Sequence, residues 1–335
     1  MRIWFNRGFS LAPIAKAMMA ADPTLEVVIS VGENMPVYAG AQETWAEPTL
    51  DDDAYVAWVR KQIAQNEIDL FIPTRRRKLL ASVELPCAVH FPADIDTLEL
   101  LEDKFAFANA IAGEDFHLKT VNIGSAADLE ATLPLFATLL DDASPCVKPR
   151  NGVNGHGFWR LTNKSPLSHV INPDSRAMHQ DLFLTALRAE EAVRPLAPFV
   201  LMEYLPGPEV SFDVLCDHGT ILKYVARTKE AAYQRLQTYH PLEAQARNLV
   251  ARFGLHGVIN VQFRKAKDGS WKALEINARP AGGSVYGEEF GTGLLADWGG
   301  LLSGRLAPDK ISRPDLDFKI KTTSSITKMS ETPTP

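Results

Sequence analysis

Two apolar stretches in the last third of the chain carry polar side chains whose spacing suits a metal ion. Asp268-Gly269 separates them, and this dipeptide is typical of a two-residue β-hairpin loop. If those two residues form the loop, Gln262 lies directly opposite Glu275, and Asn277 shares the same face of the hairpin. One carboxylate and two amides supply the hard oxygen ligands that Mg²⁺ prefers. The pattern therefore predicts a magnesium site made of Gln262, Glu275 and Asn277.

A solvated hairpin face is the alternative explanation for these polar residues. It does not explain why Arg279 and the turn Gly282-Gly283-Ser284 follow at once. Side chains two apart on a strand share a face, so Arg279 is expected to point toward the same centre as Asn277. A cation there suits a reaction in which negative charge builds up, and Arg279 is our first candidate for a catalytic residue.

The composition is that of an ordinary globular protein. With 335 residues, of which 46% are apolar, the chain is long enough for two or three domains. A net charge of −6 gives no general basic surface for nucleic acid. No stretch approaches the roughly 18 apolar residues of a membrane span, so we expect a cytoplasmic protein without a membrane partner. Cys87, Cys146 and Cys216 are far apart in apolar surroundings and are expected to be core residues.

The order of strand-like and helix-like stretches predicts an α/β fold followed by an α+β fold. Over the first 100 residues the two types alternate, which is typical of a parallel, doubly wound sheet. The turn after the first strand, Asn6–Ser10, lacks the glycine fingerprint of dinucleotide-binding proteins. This domain is therefore expected to be Rossmann-like in shape, without evidence for NAD.

The remainder of the chain divides into two further segments and a tail. A short strand at Pro145–Pro149 leads into a glycine-bearing loop at 150–157, and a long helix is predicted at Asp174–Val193. Strands then dominate until a last helix at Leu294–Leu302, and the end of the chain is rich in Lys, Ser, Thr and Pro. The predicted boundaries are 1–100, 101–195, 196–312 and 313–335.

Taken in order, the motifs from residue 1 to about 305 resemble those of the ATP-grasp superfamily. They are Glu102-Asp103-Lys104, Val147-Lys148-Pro149 followed by Gly152, Gly155 and Gly157, Glu203-Tyr204-Leu205-Pro206-Gly207-Pro208-Glu209, and the late Gln262, Glu275 and Asn277. The Gln/Glu/Asn set resembles the carbamoyl-phosphate-synthase-like branch. The opening residues Ile3–Ser10 are similar to stand-alone ATP-grasp proteins associated with tellurium-resistance operons. The resemblance implies a Rossmann-like pre-ATP-grasp domain followed by a two-lobed ATP-grasp domain.

The resemblance also implies how ATP phosphates are bound. Lys104 and Lys148 would neutralise phosphate oxygens, and backbone N–H groups at Gly152, Gly155 and Gly157 would cradle the terminal phosphates. Solvated surface lysines and a flexible hairpin tip are the alternatives. Lys148 fits the surface explanation poorly, because it lies in a short apolar strand, and the resemblance makes it a catalytic candidate together with Arg279.

The nucleoside would bind where an apolar strand ends. The resemblance assigns the adenine to the segment Glu203-Tyr204-Leu205, through the backbone of Glu203 and Leu205, and the ribose hydroxyls to Glu209. A surface carboxylate at Glu203 and a core aromatic at Tyr204 are the alternatives. The implied cofactors are ATP and Mg²⁺, with Mn²⁺ as the other suitable ion.

The resemblance implies an enzyme that forms an amide-like C–N bond. A carboxylate attacks the γ-phosphate of ATP, and an amine or related nucleophile then displaces phosphate from the acyl phosphate. An ATP-grasp kinase is the first alternative, and a non-catalytic nucleotide-binding module is the second. We expect small-molecule partners, a carboxylate and an amine. Homo-oligomers occur in such architectures, and no sequence feature decides the oligomeric state.

A basic cluster suggests that one substrate is an anion. Arg75, Arg76 and Arg77 follow the strand that ends at Pro73, and ligands of open α/β sheets bind at the carboxyl ends of strands. We expect Arg7, which follows the first strand, to join them. Arg227 is a further substrate candidate, and a solvated basic helix start is the alternative for the cluster.

Overall fold

Three β-sheets organise the protein. The computed structural model describes residues 1–8, 10–33, 35, 39–139, 144–152 and 155–323. None of the helices within these ranges combines the length and the apolar character of a membrane span. Residues 324–335 of the predicted tail lie outside the described part of the chain.

The first sheet is parallel, with strand order β3-β2-β1-β4-β5. Along β1, Ile3 and Phe5 pack with helix α1, and Trp4 packs on the opposite face with helix α2. This alternation covers both faces of the sheet and confirms the predicted α/β fold. The elements are β1 (Arg2–Phe5), α1 (Leu11–Ala21), β2 (Glu26–Gly32), β3 (Glu43–Glu47), α2 (Asp52–Gln65), β4 (Leu70–Ile72), α3 (Arg77–Ala81) and β5 (Ala88–Val89).

Two helices, α4 (Ile95–Glu102) and α5 (Lys104–Ala110), connect the first sheet to the second. The second sheet has the order β6-β10-β7-β8-β9. Its last strand in the chain, β10, follows the boundary predicted at 195 and pairs with β6 and β7. The elements are β6 (Thr120–Ile123), α6 (Ala126–Leu139), β7 (Pro145–Pro149), β8 (Trp159–Thr162), α7 (Ser168–Ile171), β9 (Ala177–His179), α8 (Gln180–Glu191) and β10 (Phe199–Glu203).

The prediction of one helix over Asp174–Val193 was wrong at its start. Residues 177–179 form β9, which pairs in parallel with β8 through Arg160 and Ala177. The helix begins only at Gln180. Pairing with a strand distant in sequence has overridden the local helical pattern here.

The third sheet is antiparallel, with the order β15-β14-β11-β12-β13-β16. One face of this sheet packs against α4, α5 and α9, and the apolar side chains of all four form one large hydrophobic cluster. The elements are β11 (Glu209–Asp217), β12 (Thr220–Lys229), β13 (Gln234–Gln237), α9 (Glu243–Arg252), β14 (Gly257–Lys265), β15 (Trp271–Asn277), α10 (Leu294–Leu302) and β16 (Asp317–Ile320).

The β14–β15 hairpin differs from the prediction in its turn. Lys265 pairs with Trp271, and Ala266 N–H donates to the Ser270 carbonyl, so the loop is longer than the two residues Asp268-Gly269. Gly269 has φ +88, as expected for a longer loop that ends in a left-handed residue. The register then shifts between Gln262 and Phe263. Because this bulge absorbs the extra residue, Gln262 still lies opposite Glu275, as predicted.

Candidate active site

A cavity of about 760 Å³ lies between the second and third sheets. Its walls come from β7 and β10 on one side and from β11, β14 and β15 on the other. Every residue that the sequence predicted to bind nucleotide or metal lines this cavity, except Gly157. The expected residues that line it are Lys104, Lys148, Gly152, Gly155, Glu203, Tyr204, Leu205, Glu209, Gln262, Glu275, Asn277 and Arg279.

A second cavity, of about 540 Å³, opens toward the first sheet. Arg7, Arg75, Arg76 and Arg77 line it. The two cavities share five lining residues: Lys104, Gly152, Glu275, Asn277 and Arg279. A molecule in either cavity therefore faces the same small group of charged and amide side chains.

The predicted metal residues form one hydrogen-bonded face at the end of the hairpin. The Asn277 amide nitrogen donates to Glu275 Oε1 over 3.1 Å, and the Gln262 amide nitrogen donates to Asn260 Oδ1 over 3.0 Å. Because both amide nitrogens donate hydrogen bonds to neighbouring side chains, the amide oxygens are the atoms left to bind a cation. Together with the Glu275 carboxylate they form an oxygen donor set that fits Mg²⁺ or Mn²⁺.

Beneath this face lies a fully buried polar network. Asp213, on β11, accepts hydrogen bonds from Asn260 and from the Ser284 hydroxyl, at 3.0 and 2.8 Å. The guanidinium of Arg227 makes an ion pair with the same carboxylate. Since Asn260 also holds Gln262, the network fixes the hairpin face from below.

Two lysines line the same cavity as the metal face, Lys148 from β7 of the second sheet and Lys104 from the start of α5. Lys104 is only 9% exposed and donates to the Gly152 carbonyl over 2.8 Å. Burial lowers the pKa of Lys104, the Lys148 ammonium lowers it further, and the Glu275 carboxylate opposes both effects. Lys148 lies in β7, paired with Val200 of β10. The pair forms a cationic wall suited to phosphate oxygens.

The base of the glycine loop is tied to the start of α5. Asp103 caps that helix and takes two hydrogen bonds of 2.8 Å from Arg150 Nε. Burial by itself would raise the pKa of Asp103, but the Arg150 guanidinium and two backbone N–H groups lower it overall. Val153 and Asn154, at the tip of the loop, lie outside the described residues. Gly157 packs against Pro149 at the base of the loop.

The far end of the first cavity suits a nucleoside. Met202, Tyr204 and Leu205 supply apolar walls, and burial raises the pKa of Glu203 beside them. Glu209 lies at the rim, where Lys229 and Arg264 pair with its two carboxylate oxygens. Arg264 also donates to the Leu205 carbonyl over 2.6 Å, so the strand end and the carboxylate are held together.

Solved structures of several enzymes share this fold. An L-amino acid ligase from Bacillus licheniformis superposes with a TM-score of 0.63 at 16% identity, covering 93% of this chain and 77% of that one. Residues 196–317 also match the family described as "ATP-grasp in the biosynthetic pathway with Ter operon". This chain has the ATP-grasp fold.

Two further ATP-grasp structures are similar over most of their length. The N5-carboxyaminoimidazole synthetase from Staphylococcus aureus complexed with ADP has a TM-score of 0.59 at 17% identity, covering 89% of this chain and 77% of that one. Biotin carboxylase from Campylobacter jejuni, in complex with β,γ-ATP, has a TM-score of 0.63 at 14% identity, covering 92% and 72%. No curated protein matches the sequence. The Ter-operon match lies in the C-terminal half and does not include the opening residues Ile3–Ser10 that first suggested that group.

The arginines that the sequence predicted to bind substrate lie in different environments. Arg76 donates to the Leu50 carbonyl over 2.7 Å and lies over the Tyr55 ring. Arg77 is buried, and its guanidinium donates to the carbonyls of Pro73 and Ala278. Arg227 lines neither of the two cavities. Arg7 Nε lies 4.0 Å from Glu47 Oε1, and Arg75 lines the second cavity beside it.

Sequence reasoning missed three groups of side chains in and around the two cavities. Asn260 lies two residues before Gln262 on the same strand face, so the strand period would have found it. The Asp103–Arg150 ion pair joins residues 47 apart in the chain, and no local pattern signals it. Arg160 and Arg176 also line the first cavity, and Arg160 lies over the Tyr204 ring at 5.0 Å.

Proposed function

We propose that this protein is an ATP-dependent, ADP-forming ligase that joins a carboxylate to an amine or a related nucleophile. The observation that carries the proposal is the pair of cavities that share Lys104, Glu275, Asn277 and Arg279. One cavity has the size and lining for ATP, and the other has room for an acceptor next to the same residues. A ligase needs this arrangement, because the nucleotide and the acceptor must meet at the γ-phosphate.

In the first step a carboxylate oxygen of the substrate attacks the γ-phosphorus, and the bond to the β–γ bridging oxygen breaks as ADP leaves. Lys148 and Lys104 would offset the charge on the phosphate oxygens, and Arg279 would stabilise the charge of the transferring group. When bound by Glu275 and Asn277, with Gln262 at the rim, Mg²⁺ or Mn²⁺ supplies charge neutralisation at the β- and γ-phosphates. These ligands are those expected for the carbamoyl-phosphate-synthase-like branch.

In the second step the nucleophile attacks the acyl carbon. Its lone pair forms the new C–N bond, phosphate leaves with the electrons of the C–O bond, and the nitrogen loses a proton. The similar structures include an L-amino acid ligase, which supports an amine as the acceptor. No covalent enzyme intermediate is part of this scheme.

We further propose that the carboxylate substrate carries additional negative charge. Five arginines line the second cavity, namely Arg7, Arg75, Arg76, Arg77 and Arg279, and together they favour an anionic ligand. Replacing Arg75 with Ala is expected to raise the KM for that substrate about 10- to 100-fold, since a hydrogen bond to a charged group contributes roughly 1.5–3 kcal/mol. The variant Arg194→Ala, which removes an exposed arginine paired with Glu190, is the matched control and should leave KM unchanged.

The decisive experiment measures ADP and phosphate released from Mg-ATP in the presence of pooled amino acids and small carboxylates. We expect substrate-dependent release that falls at least about 100-fold in Glu275→Ala, Asn277→Ala, because a bound metal contributes several kcal/mol of charge stabilisation. The exposed carboxylate Glu84 provides the control variant Glu84→Ala. Equal release by the double variant would contradict the proposed metal face. Phosphorylated acceptor accumulating without any need for an amine would favour the kinase alternative.

A further inference from the structure

A cluster of imidazole and carboxylate groups lies at the end of the third sheet that is remote from the two cavities. Asp217 ends β11, His218 is in the turn to β12, and His256 directly precedes β14. Glu209, at the nucleotide cavity, is at the other end of the nine-residue β11, about 26 Å away along an extended strand. The cluster is therefore separate from the candidate active site.

The potential ligand atoms converge on one point. His218 Nδ1 lies 2.6 Å and His256 Nδ1 lies 3.2 Å from the same oxygen, Asp217 Oδ1. The two rings are stacked, with centroids 4.1 Å apart, and the ligand atoms of the three residues all lie within 4.8 Å of one another. Ligands around a tetrahedral zinc ion, with bonds of about 2.0–2.2 Å, are separated by roughly 3.3 Å. Small side-chain shifts would bring these atoms to that spacing.

The backbone of the turn gives a second reason to consider a ligand. His218 has φ 40 and the next residue, Gly219, has φ +87. Tight hairpin turns of this kind favour Asn, Asp or Gly in the first position, because a left-handed conformation is costly for larger residues. A histidine at this place positions its ring directly over His256.

A third histidine brings the first domain close to the cluster. The His90 ring lies 4.9 Å from the His256 ring, and His256 N–H donates to the Pro92 carbonyl over 2.7 Å. Within the described part of the chain, His90 Nε2 is buried without a hydrogen-bond partner. The cluster thus lies where the loop after β5 meets the third sheet.

We propose that Asp217, His218 and His256 form a zinc site outside the active site. Two imidazoles and a carboxylate are a donor set that zinc and its neighbours in the transition series accept, in contrast to the all-oxygen face at Glu275. Three protein ligands leave one position for water. A bound ion would tie the β11–β12 turn to the start of β14, beside the loop that carries His90.

The test uses full-length protein without an affinity tag, treated with a chelator and then titrated calorimetrically with Zn²⁺. The protein carries Glu275→Ala and Asn277→Ala, so that the active-site face does not bind the ion. We expect one zinc ion per chain and a rise in Tm on zinc addition, since an ion that binds only the folded state stabilises it. The absence of zinc binding by this folded protein would overturn the proposal.

Two variants test the ligand assignment. His218→Asn removes the imidazole and keeps a residue that accepts the left-handed turn, so folding should be preserved while zinc affinity falls at least about 10-fold. Asp217→Asn should weaken binding as well. His169→Asn is the matched control, because His169 lies outside the cluster, hydrogen-bonded to the Pro166 carbonyl and beside the Trp159 ring. Unchanged zinc affinity in His218→Asn would show that the ion binds elsewhere.

Discussion

Asp213 shows how a residue outside the cavities can shape the site. Its carboxylate is 1% exposed and holds Asn260 and Ser284, while Arg227 supplies the balancing charge. Breaking a buried pair by removing one partner leaves an uncompensated charge, which is far more costly than the loss of a surface pair. The structure therefore favours a supporting role for Arg227 over the substrate contact that the sequence suggested.

Replacing Arg227 with Met is expected to lower the free energy of unfolding by about 3–5 kcal/mol, because Asp213 would stay buried without its partner. Urea denaturation measures this change. The control is Arg235→Met, since the exposed Arg235–Asp317 pair should contribute no more than about 1 kcal/mol. A stable Arg227→Met protein with a raised KM would instead support the substrate role.

At the scale of elements, the glycine loop depends on its connection to α5. The bidentate contact between Asp103 and Arg150 fixes the base of the loop, and Lys104 holds the Gly152 carbonyl. Lysine lacks the planar fork that makes two parallel hydrogen bonds. We expect Arg150→Lys to raise the KM for ATP about 10-fold, as measured by steady-state ADP release. Arg188→Lys, at an exposed pair with Glu130, should have no effect, and equal KM values in both variants would contradict this role.

The contact between α1 and α10 predicts a specific pH dependence. Asp22 follows α1 and accepts hydrogen bonds from Thr24 and from Ser303 at the end of α10. The Thr24 hydroxyl, with the Thr24 N–H, Ser303 and Arg305, lowers the pKa of Asp22 from its ordinary 3.8 to about 2. A carboxylate with a lowered folded-state pKa stabilises the fold above its ordinary pKa, and this contribution is lost as the pH falls toward 2.

Asp22→Asn should therefore lose less stability than the parent protein between pH 5 and pH 2. The urea midpoint measured at both values gives the comparison. Asp309→Asn, which alters an exposed carboxylate, is expected to follow the parent protein. Parallel curves for the parent and Asp22→Asn would show that this contact does not contribute to acid sensitivity.

At the scale of the whole molecule, each of the three sheets has one free cysteine in or next to one of its strands. Cys87 immediately precedes β5, Cys146 lies in β7 and Cys216 lies in β11. Burial raises the pKa of the Cys87 thiol to about 11 and that of Cys146 to about 12, and it also raises the pKa of Cys216. Because only the thiolate reacts, an aromatic disulfide reagent at pH 8 should label the native protein slowly. After unfolding in guanidinium the same reagent should label all three thiols. A rapid stoichiometric reaction in the native state would contradict this expectation.

The sequence by itself determined those features that depend on local patterns. The alternation of strands and helices predicted the first sheet, and the polar residues on two neighbouring strands predicted that Gln262 faces Glu275. The same local reasoning failed in detail at the turn, because a longer loop and a bulge compensate each other. It failed at β9 as well, because the pairing partner of that strand comes from another part of the chain.

Only the tertiary structure decided which residues meet and which charges are already engaged. Lys104, Lys148 and Glu275 come from three distant segments, and one cavity brings them together. Arg77 looked available for substrate, yet it donates to the carbonyl of Ala278, 201 residues away. Hydrophobicity and turn preferences act over a few residues, whereas burial and charge pairing depend on neighbours in space. For that reason the polar face of the hairpin was readable in the sequence, and the roles of its surrounding arginines were not.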